Sequence, residues 1–389
     1  MWPSLGLIPF VLVASVLASQ EQALLNSSVR LTEVISDIHP NHLNYEPLYE
    51  GSSSSSRLVM YVQTLTTASN EPLSLLPLLE HQTKITHIIL GSLHLHEEPG
   101  IIMLNNDPLD SQIYHQVWAE VKILQKHGVK VLGLLGGAAG STYERLSGGD
   151  EKVSTFYFPY PSLMLIFPLQ FNSYYQPLLA LIKQYSLDGL DVDIEEEIDI
   201  TVPMRLLTAL RKDLSPHFLI TMAPMASALS SKDGGNLSGF SYFDLEALVT
   251  DPSPSPTNSK TNTPLVSWYN AQLYGGFARS TWFYESVVEA GFAPSRVVIS
   301  VAGSLALGEN GFLRIEELQH TVRGLRNLYG DEFGGVAGWE YFDAGSADLD
   351  GEWLGEPWRW VRAIGEALFW VERDNKELES YNSQIPGTE

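Results

Sequence analysis

Short apolar runs rich in Leu, Val and Ile recur along the chain from about Arg57, and a segment with helical periodicity follows each of them. Alternation of this kind predicts parallel strands joined by crossover helices. We predict strands at 58–64, 85–93, 129–135, 189–195, 218–225, 265–273, 297–302 and 335–341. Eight such units close a barrel, so the predicted fold class is α/β, a TIM (β/α)8 barrel in a single catalytic domain.

A doubly wound open sheet is the alternative arrangement of the same elements. Its usual dinucleotide site needs a Gly-x-Gly-x-x-Gly turn, and Gly133-Leu134-Leu135-Gly136-Gly137 lacks that spacing. In a barrel, the carboxyl ends of the strands carry the chemistry, so candidate residues are sought there.

The two ends of the chain differ from the barrel in composition. Residues 5–18 are apolar and end in small residues of the kind that signal peptidase reads, which predicts a secretory signal at 1–19 and an extracellular protein. Residues 20–56 are polar, end in a serine run and predict a flexible lead-in. The barrel is expected at 57–372 and a polar tail at 373–389.

Residues 153–170 do not fit the alternation, because they are apolar and contain three prolines. We hypothesise that they are a retained intron. Val153-Ser154 is what a GTGAGT splice donor encodes, Leu169-Gln170 can come from a pyrimidine tract ending in CAG, and removal keeps the frame. The alternative is a genuine hydrophobic lid or insertion.

Composition restricts the partners. The chain has 389 residues, with 23 Lys and Arg against 46 Asp and Glu, a formal net charge of −23. This charge disfavours nucleic acid and anionic membranes, and no apolar run is long enough for a transmembrane span. Cysteine is absent, which excludes thiol catalysis and disulfides. We expect a monomer that uses neither a metal nor another cofactor.

The strongest chemical signal is the run from Leu187 to Glu195, in which acids alternate with apolar residues. In a strand, Asp191, Asp193 and Glu195 share one face. Burial of several carboxylates is costly, so the pattern indicates a catalytic strand. A cation site and an exposed acidic edge strand are the alternatives, although a calcium loop requires a different, oxygen-rich spacing.

The segment Asp188-Gly189-x-Asp191-x-Asp193-x-Glu195 resembles the signature of family 18 glycoside hydrolases, which include chitinases and endo-β-N-acetylglucosaminidases. The resemblance implies that this run is the fourth strand of a TIM barrel and that Glu195 is the general acid and base. It implies that Asp193 holds the N–H of the sugar's 2-acetamido group, whose carbonyl attacks the anomeric carbon, and that Asp191 shares a proton with Asp193. Asp188 and Gly189 are expected to be structural.

The sixth strand resembles the same family at Tyr269-Asn270, which implies that Tyr269 is the catalytic tyrosine that stabilises the attacking carbonyl. Asn270, Gln272 and Tyr274 are expected to bind the sugar beside it.

Four further residues bear on the candidate chemistry. Trp339, in a segment that resembles the family's closing strand, is expected to form the floor under the sugar, and Met222 is expected to line the same pocket. His94 and His96 share a strand face but have no third ligand at useful spacing, so a loop role is favoured over a zinc site.

The third strand bears on the substrate. Chitinases of the family usually carry Ser-x-Gly-Gly there, whereas this chain has Leu134-Leu135-Gly136-Gly137 followed by two alanines, which is similar to the fungal endo-β-N-acetylglucosaminidases. The resemblance therefore favours cleavage of the chitobiose core of N-linked glycans, so the expected partner is a glycan that contains N-acetylglucosamine. The alternatives are a chitinase and, more distantly, a lectin on an inactive barrel, which would typically lack the acid at Glu195.

Overall fold

The computed structural model describes residues 56–67, 69, 71–147, 167–250, 264–307, 312–344, 353 and 355–369. The predicted secretory signal at 1–19, residues 20–55 of the predicted lead-in, residues 153–166 of the suspected intron and the tail at 373–389 lie outside the described residues.

Parallel strands joined by helices close into a barrel of eight strands in the described part of the chain, which confirms the predicted TIM barrel. Closure is made by the first strand, in which Met60 is paired with Ile88 on one side and with Gly338 on the other. A short antiparallel hairpin, β3 with β4, is added to the end of β2. The strands are β1 (Arg57–Val62), β2 (His87–Leu95), β3 (Ile102–Leu104), β4 (Asp107–Pro108), β5 (Lys130–Gly136), β6 (Gly189–Asp193), β7 (Leu219–Met222), β8 (Trp268–Gln272), β9 (Val297–Ala302) and β10 (Gly335–Trp339).

Helices follow the barrel strands and cover the outside of the barrel. In the described ranges they are α1 (Pro77–Glu80), α2 (His115–Lys126), α3 (Thr142–Ser147), α4 (Phe167–Tyr185), α5 (Thr201–Asp213), α6 (Ser227–Ser230), α7 (Tyr242–Thr250), α8 (Trp282–Glu289), α9 (Ile315–Tyr329), α10 (Tyr341–Ala344) and α11 (Trp358–Leu368). Helix α4 begins at Phe167, so the last four residues of the suspected intron are helical. No helix in these ranges combines the length and the apolarity needed to cross a membrane.

Side chains of each barrel strand alternate between the lumen and the helices. The apolar lumen positions form a compact cluster, and the opposite faces pack in the larger core under the helices. In β8, Trp268 belongs to the lumen cluster whereas its neighbour Tyr269 belongs to the outer core. The buried members of the lumen cluster are Val59, Tyr61, Ile89, Leu132, Leu134, Trp268, Val298 and Ala337.

The first residues of three strands lie together at the amino end of the lumen. The guanidinium of Arg57 stacks over the Trp268 ring at 4.3 Å, and the Trp268 and His87 rings meet edge to face at 5.1 Å. Burial lowers the pKa of Arg57 to about 10 and that of His87 to about 3. This group fills the amino end of the lumen with aromatic and cationic side chains, so polar chemistry is left to the opposite end.

Candidate active site

A cavity of about 290 Å³ lies at the carboxyl ends of the barrel strands. All eight barrel strands, or the segments that directly follow them, contribute to its wall. The lining residues are Tyr61, Gln63, Ser92, His94, Gly136, Gly137, Ala138, Ala139, Asp193, Glu195, Ala223, Gln272, Tyr274, Ser300 and Trp339.

The start of β6 fixes the position of the acidic row. A side chain on Gly189 would lie 2.5 Å from the carbonyl oxygen of Leu219, so only glycine fits there. The carboxylate of Asp188 accepts a hydrogen bond from the backbone N–H of Val131 (2.9 Å) and one from Lys130 Nζ (3.1 Å). Asp188 and Gly189 therefore fix the position of β6 against the neighbouring strands β5 and β7.

Asp191 lies beneath the cavity, fully buried, and is held by three donors. Tyr61 Oη donates to Oδ2 at 2.9 Å, and Oδ1 accepts from Thr221 Oγ1 and from Asn270 Nδ2, the latter at 3.2 Å. The amide of Asn270 is oriented by Trp268, whose indole N–H donates to Asn270 Oδ1 at 2.9 Å. Burial raises the pKa of Asp191 to about 6, and the three hydrogen bonds oppose that rise.

Asp193 is the last residue of β6, and its carboxyl faces the cavity. Its Oδ1 atom is buried and has no hydrogen-bond partner among the described residues. Burial, and then the charges of Glu195 and Asp191, raise the pKa of Asp193 well above its usual range. The sequence predicts a raised pKa somewhere in this row, and the structure places such a rise at Asp193, where burial and two neighbouring acids favour the protonated form.

Glu195 follows β6 by two residues, so the strand is shorter than predicted. Its carboxylate is half-buried in the cavity wall, and Gln272 Nε2 donates to Glu195 Oε1 at 3.3 Å. The same amide donates to the carbonyl of Ala223 at 2.8 Å. Gln272 therefore links β8 to the segment after β7 and orients the Glu195 carboxylate.

The expected position of Tyr269 is wrong. The side chain is fully buried outside the lumen, where its hydroxyl donates to Glu246 Oε1 at 2.6 Å. Arg296 also binds Glu246, through two bonds of 2.7 Å, so the three side chains form an outer network. Alternation along β8 explains the correction. Trp268, Asn270 and Gln272 face the lumen, so Tyr269, which lies between the first two, faces the helices.

Met222 is misplaced for the same reason. It is fully buried in the outer core, whereas Thr221 and Ala223 on either side face the lumen. Asn270 also differs from its predicted role, because its amide lies below the cavity and contacts Asp191 instead of lining the sugar pocket.

Tyr274 and Trp339 do line the cavity, on either side of Ser300. Burial, and then the charges of Asp193 and Glu195, raise the pKa of Tyr274, so its hydroxyl remains protonated as a donor. The Trp339 ring lies 5.3 Å from the Tyr61 ring at an interplanar angle of 60°. The site thus combines two neighbouring acids, a hydroxyl donor and an indole face.

Several site residues were not identified from sequence. Tyr61 and Thr221 occupy lumen positions of their predicted strands, so alternation could have found them. His94 lines the cavity from the carboxyl end of β2, a position that the loop interpretation missed. Within the described ranges, no group of three or more His, Asp or Glu side chains could hold a metal ion.

Comparison with known proteins places the barrel among glycosyl hydrolases. A family model described as glycosyl hydrolases family 18 matches residues 57–340. The structure of a chitinase, ChiC, from Aspergillus fumigatus is 39% identical, with a TM-score of 0.63, and the match covers 74% of this chain and 92% of that one. The structure of a fungal endo-β-N-acetylglucosaminidase is 34% identical, with a TM-score of 0.66 and coverage of 80% and 98%.

A curated relative, chitinase 2 of Rhizopus oligosporus, is 25% identical over 267 residues. These residues are 66% of this chain but 44% of that protein, so the chain spans less than half of this relative's length.

Proposed function

We propose that this chain, which belongs to glycosyl hydrolase family 18, is an endo-β-N-acetylglucosaminidase that cleaves the chitobiose core of N-linked glycans with retention of configuration. The carboxyl of Asp193 is the observation that carries the chemistry: its Oδ1 has no hydrogen-bond partner among the described residues, and its pKa is raised well above its usual range. Most glycosidases use a second carboxylate as nucleophile, whereas substrate-assisted enzymes use the substrate's own acetamido oxygen.

The proposed reaction begins when Glu195 donates a proton to the glycosidic oxygen and the acetamido carbonyl oxygen attacks the anomeric carbon. Tyr274 donates a hydrogen bond to that carbonyl oxygen. Asp193 accepts the acetamido N–H once its own proton has moved to Asp191, which can hold a proton because burial raises its pKa to about 6, above that of an ordinary carboxyl. Glu195 then returns as base to activate water, which opens the oxazolinium-like intermediate.

Trp339 is proposed as the floor under the reacting sugar, because an indole face suits the apolar face of a pyranose. Asn270 is proposed as a support of Asp191 instead of a substrate contact. The role first assigned to Tyr269 passes to Tyr274, five positions further along the chain, because only Tyr274 lines the cavity.

Chitin is the second candidate substrate. The similarity to a chitinase of Aspergillus fumigatus supports it, at 39% identity against 34% for the endo-β-N-acetylglucosaminidase structure. The third-strand segment Leu134–Ala139, which lacks serine, supports the N-glycan. We propose in addition that the protein is secreted, on the basis of the apolar leader at 5–18.

The test offers purified protein a high-mannose glycoprotein and, separately, a soluble chitin oligomer, with Glu195→Gln as the control. We expect release of the glycan by the wild type and none by the variant. Cleavage of the oligomer alone would replace the N-glycan with chitin. Undiminished glycan release by Glu195→Gln would contradict the assignment of the acid.

A further inference from the structure

We infer that Ser238 and Tyr242 are positioning residues for Glu195, because their hydroxyl groups form a relay that fixes the peptide bond leading into this acid. The relay consists of Tyr242 Oη, Ser238 Oγ and the carbonyl oxygen of Ile194. Neither Ser238 nor Tyr242 lines the cavity. This role rests on the proposed function and deepens it, since it makes proton delivery depend on residues outside the cavity.

The chain around Glu195 lies beyond the sheet. Strand β6 ends at Asp193, whose carbonyl accepts from the backbone N–H of Gly137 at 3.0 Å. Within the described ranges, the Glu195 carboxylate has one hydrogen bond, the 3.3 Å contact with Gln272, which is longer than a usual N–H···O bond. The position of this acid therefore depends on the backbone on either side of it.

Ser238 supplies a contact that the sheet no longer provides. Its Oγ lies 2.9 Å from the carbonyl oxygen of Ile194 and 2.8 Å from Tyr242 Oη, and all three residues are buried. A hydroxyl has one hydrogen to donate and a carbonyl only accepts, so Ser238 donates to Ile194 and Tyr242 donates to Ser238. The accepting carbonyl belongs to the peptide bond that Ile194 shares with Glu195. The relay therefore fixes the orientation of that peptide.

The loop that presents Ser238 also holds the chain after the acid. The backbone carbonyl of Ser238 accepts from the N–H of Ile198 at 3.0 Å. Asn236 Oδ1 accepts from the backbone N–H of Ser238 at 2.9 Å, which fixes the turn. Gly239 has a φ of +79°, and a Cβ there would lie 3.1 Å from Glu197 Cα, so glycine lets the loop approach closely. Ser238 therefore holds the chain both before and after the acid.

Tyr242 anchors the outer end of the relay. It is the first residue of α7, and its ring meets the Tyr269 ring edge to face at a centroid distance of 5.9 Å. Burial raises the pKa of Tyr242, the Ser238 hydrogen bond opposes the rise, and the charges of the acidic row add to it, so the hydroxyl remains protonated as a donor. Consecutive hydrogen bonds polarise and strengthen one another. Loss of Tyr242 Oη should therefore weaken the bond from Ser238 to Ile194.

The identity of the leaving group separates a positioning role from a purely structural one. A sugar leaves with a proton from the general acid, whereas a para-nitrophenolate, a much weaker base, leaves without one. Displacement of Glu195 therefore slows the release of a sugar much more than the release of nitrophenolate. A loss of stability alone affects both substrates alike.

The experiment measures kcat/KM, which reports the steps up to departure of the leaving group, on two substrates. One is the glycoprotein or the chitin oligomer, whichever the wild type cleaves, and in the other a para-nitrophenyl group replaces the leaving sugar. Ser238→Ala and Tyr242→Phe are the test variants, and Glu195→Gln gives the pattern of a missing acid. Thr83→Val is the matched control, because the buried Thr83 hydroxyl also donates to a backbone carbonyl, that of Leu78 at 2.7 Å, at the amino end of β2.

We expect Ser238→Ala to lower kcat/KM roughly 10- to 100-fold for the sugar leaving group, as for an acid displaced by about 1 Å, and by less than about threefold for nitrophenyl. Tyr242→Phe should show the same pattern at roughly two- to tenfold, because the bond from Ser238 to Ile194 persists. Thr83→Val should unfold at lower urea concentration without discriminating between the two substrates.

Equal effects of Ser238→Ala on both substrates, or none on either, would refute the positioning role. If Ser238→Ala does not fold, Tyr242→Phe decides by the same criterion. If the wild type cleaves neither the glycoprotein nor the chitin oligomer, the proposed function fails and the positioning role fails with it.

Discussion

Two tyrosines five positions apart provide a matched test of which one serves the reaction. Tyr274 lines the cavity, and no described residue hydrogen-bonds its hydroxyl. Tyr269 lies outside the lumen, and its hydroxyl donates to Glu246 at 2.6 Å. The substitutions Tyr274→Phe and Tyr269→Phe each remove one oxygen atom. We predict that the first lowers activity without lowering stability and that the second does the reverse.

The magnitudes follow from what each hydroxyl contacts. Loss of a donor to a developing oxyanion costs roughly 10²–10³ in kcat, or about 3–4 kcal/mol, which we expect for Tyr274→Phe. A hydrogen bond to a charged group contributes roughly 1.5–3 kcal/mol. Because Arg296 still pairs with Glu246 through two bonds, we expect Tyr269→Phe to lower the free energy of unfolding by about 1–2 kcal/mol.

The assay measures kcat and KM on the cleaved glycan together with urea unfolding of both variants. The wild type and a Tyr329→Phe variant, which changes a partly exposed tyrosine of α9, serve as controls. The reasoning is refuted if Tyr269→Phe loses as much kcat as Tyr274→Phe at unchanged stability. It is equally refuted if Tyr274→Phe keeps full activity.

Three further outcomes follow from the site. The raised pKa of Asp193 means that the folded protein binds more protons than the unfolded chain above about pH 4, so wild-type stability falls as pH rises. Asp193→Asn removes this pH dependence. Urea unfolding at increasing pH should therefore show the variant gaining stability over the wild type by up to about 1.4 kcal/mol per pH unit. A constant difference in the free energy of unfolding at every pH would contradict this. Asn270→Leu removes a hydrogen-bond donor from Asp191, which should raise the pKa of that carboxyl. The apparent pKa of the acidic limb of the pH–rate profile, expected near 6 in the wild type, should therefore increase. An unchanged acidic limb would argue against the support role of Asn270. Glu196→Ala removes the acceptor for the backbone N–H groups of Ser141 and Tyr143. The free energy of unfolding should fall by about 0.5–2 kcal/mol, and KM should change more than kcat. Unchanged stability would count against the contact.

The sequence was sufficient for the barrel and for the acidic row because both depend on periodicity. Eight apolar runs predict the eight barrel strands, and alternation in β6 places Asp191 and Asp193 on the lumen face. The exact strand ends could not be read: β6 stops at Asp193, and Glu195 lies in the segment that follows.

The register of β8 could not be fixed from the same kind of pattern. Aromatic and polar residues occur on both faces of β8, so the sequence allows two registers. The family resemblance puts Tyr269 in the lumen, whereas the other register puts Trp268, Asn270 and Gln272 there. A slip of one residue exchanges every side chain between the two faces. The structure decides for the second set, and this moves the tyrosine of the site to Tyr274.

The polar wall of the cavity at Gln63, Ser92 and His94 was hidden for a different reason. Gln63 directly follows β1, whereas Ser92 and His94 lie in β2. Asn105, which donates to the carbonyl of Gln63, lies in a hairpin that no strong strand signal predicts. Their proximity results from closure of the barrel and from hydrogen bonds between backbone groups and side chains. Single-strand periodicity contains no information on such contacts.

The central claim is that the substrate's own acetamido group captures the anomeric carbon beside Asp193. The most direct test is proton NMR of the reducing end during the first minutes of cleavage, before the anomers equilibrate. Two successive displacements at the anomeric carbon predict that the β-anomer appears first. Initial release of the α-anomer would show a single displacement by water and would contradict the assigned roles of Asp193 and Tyr274.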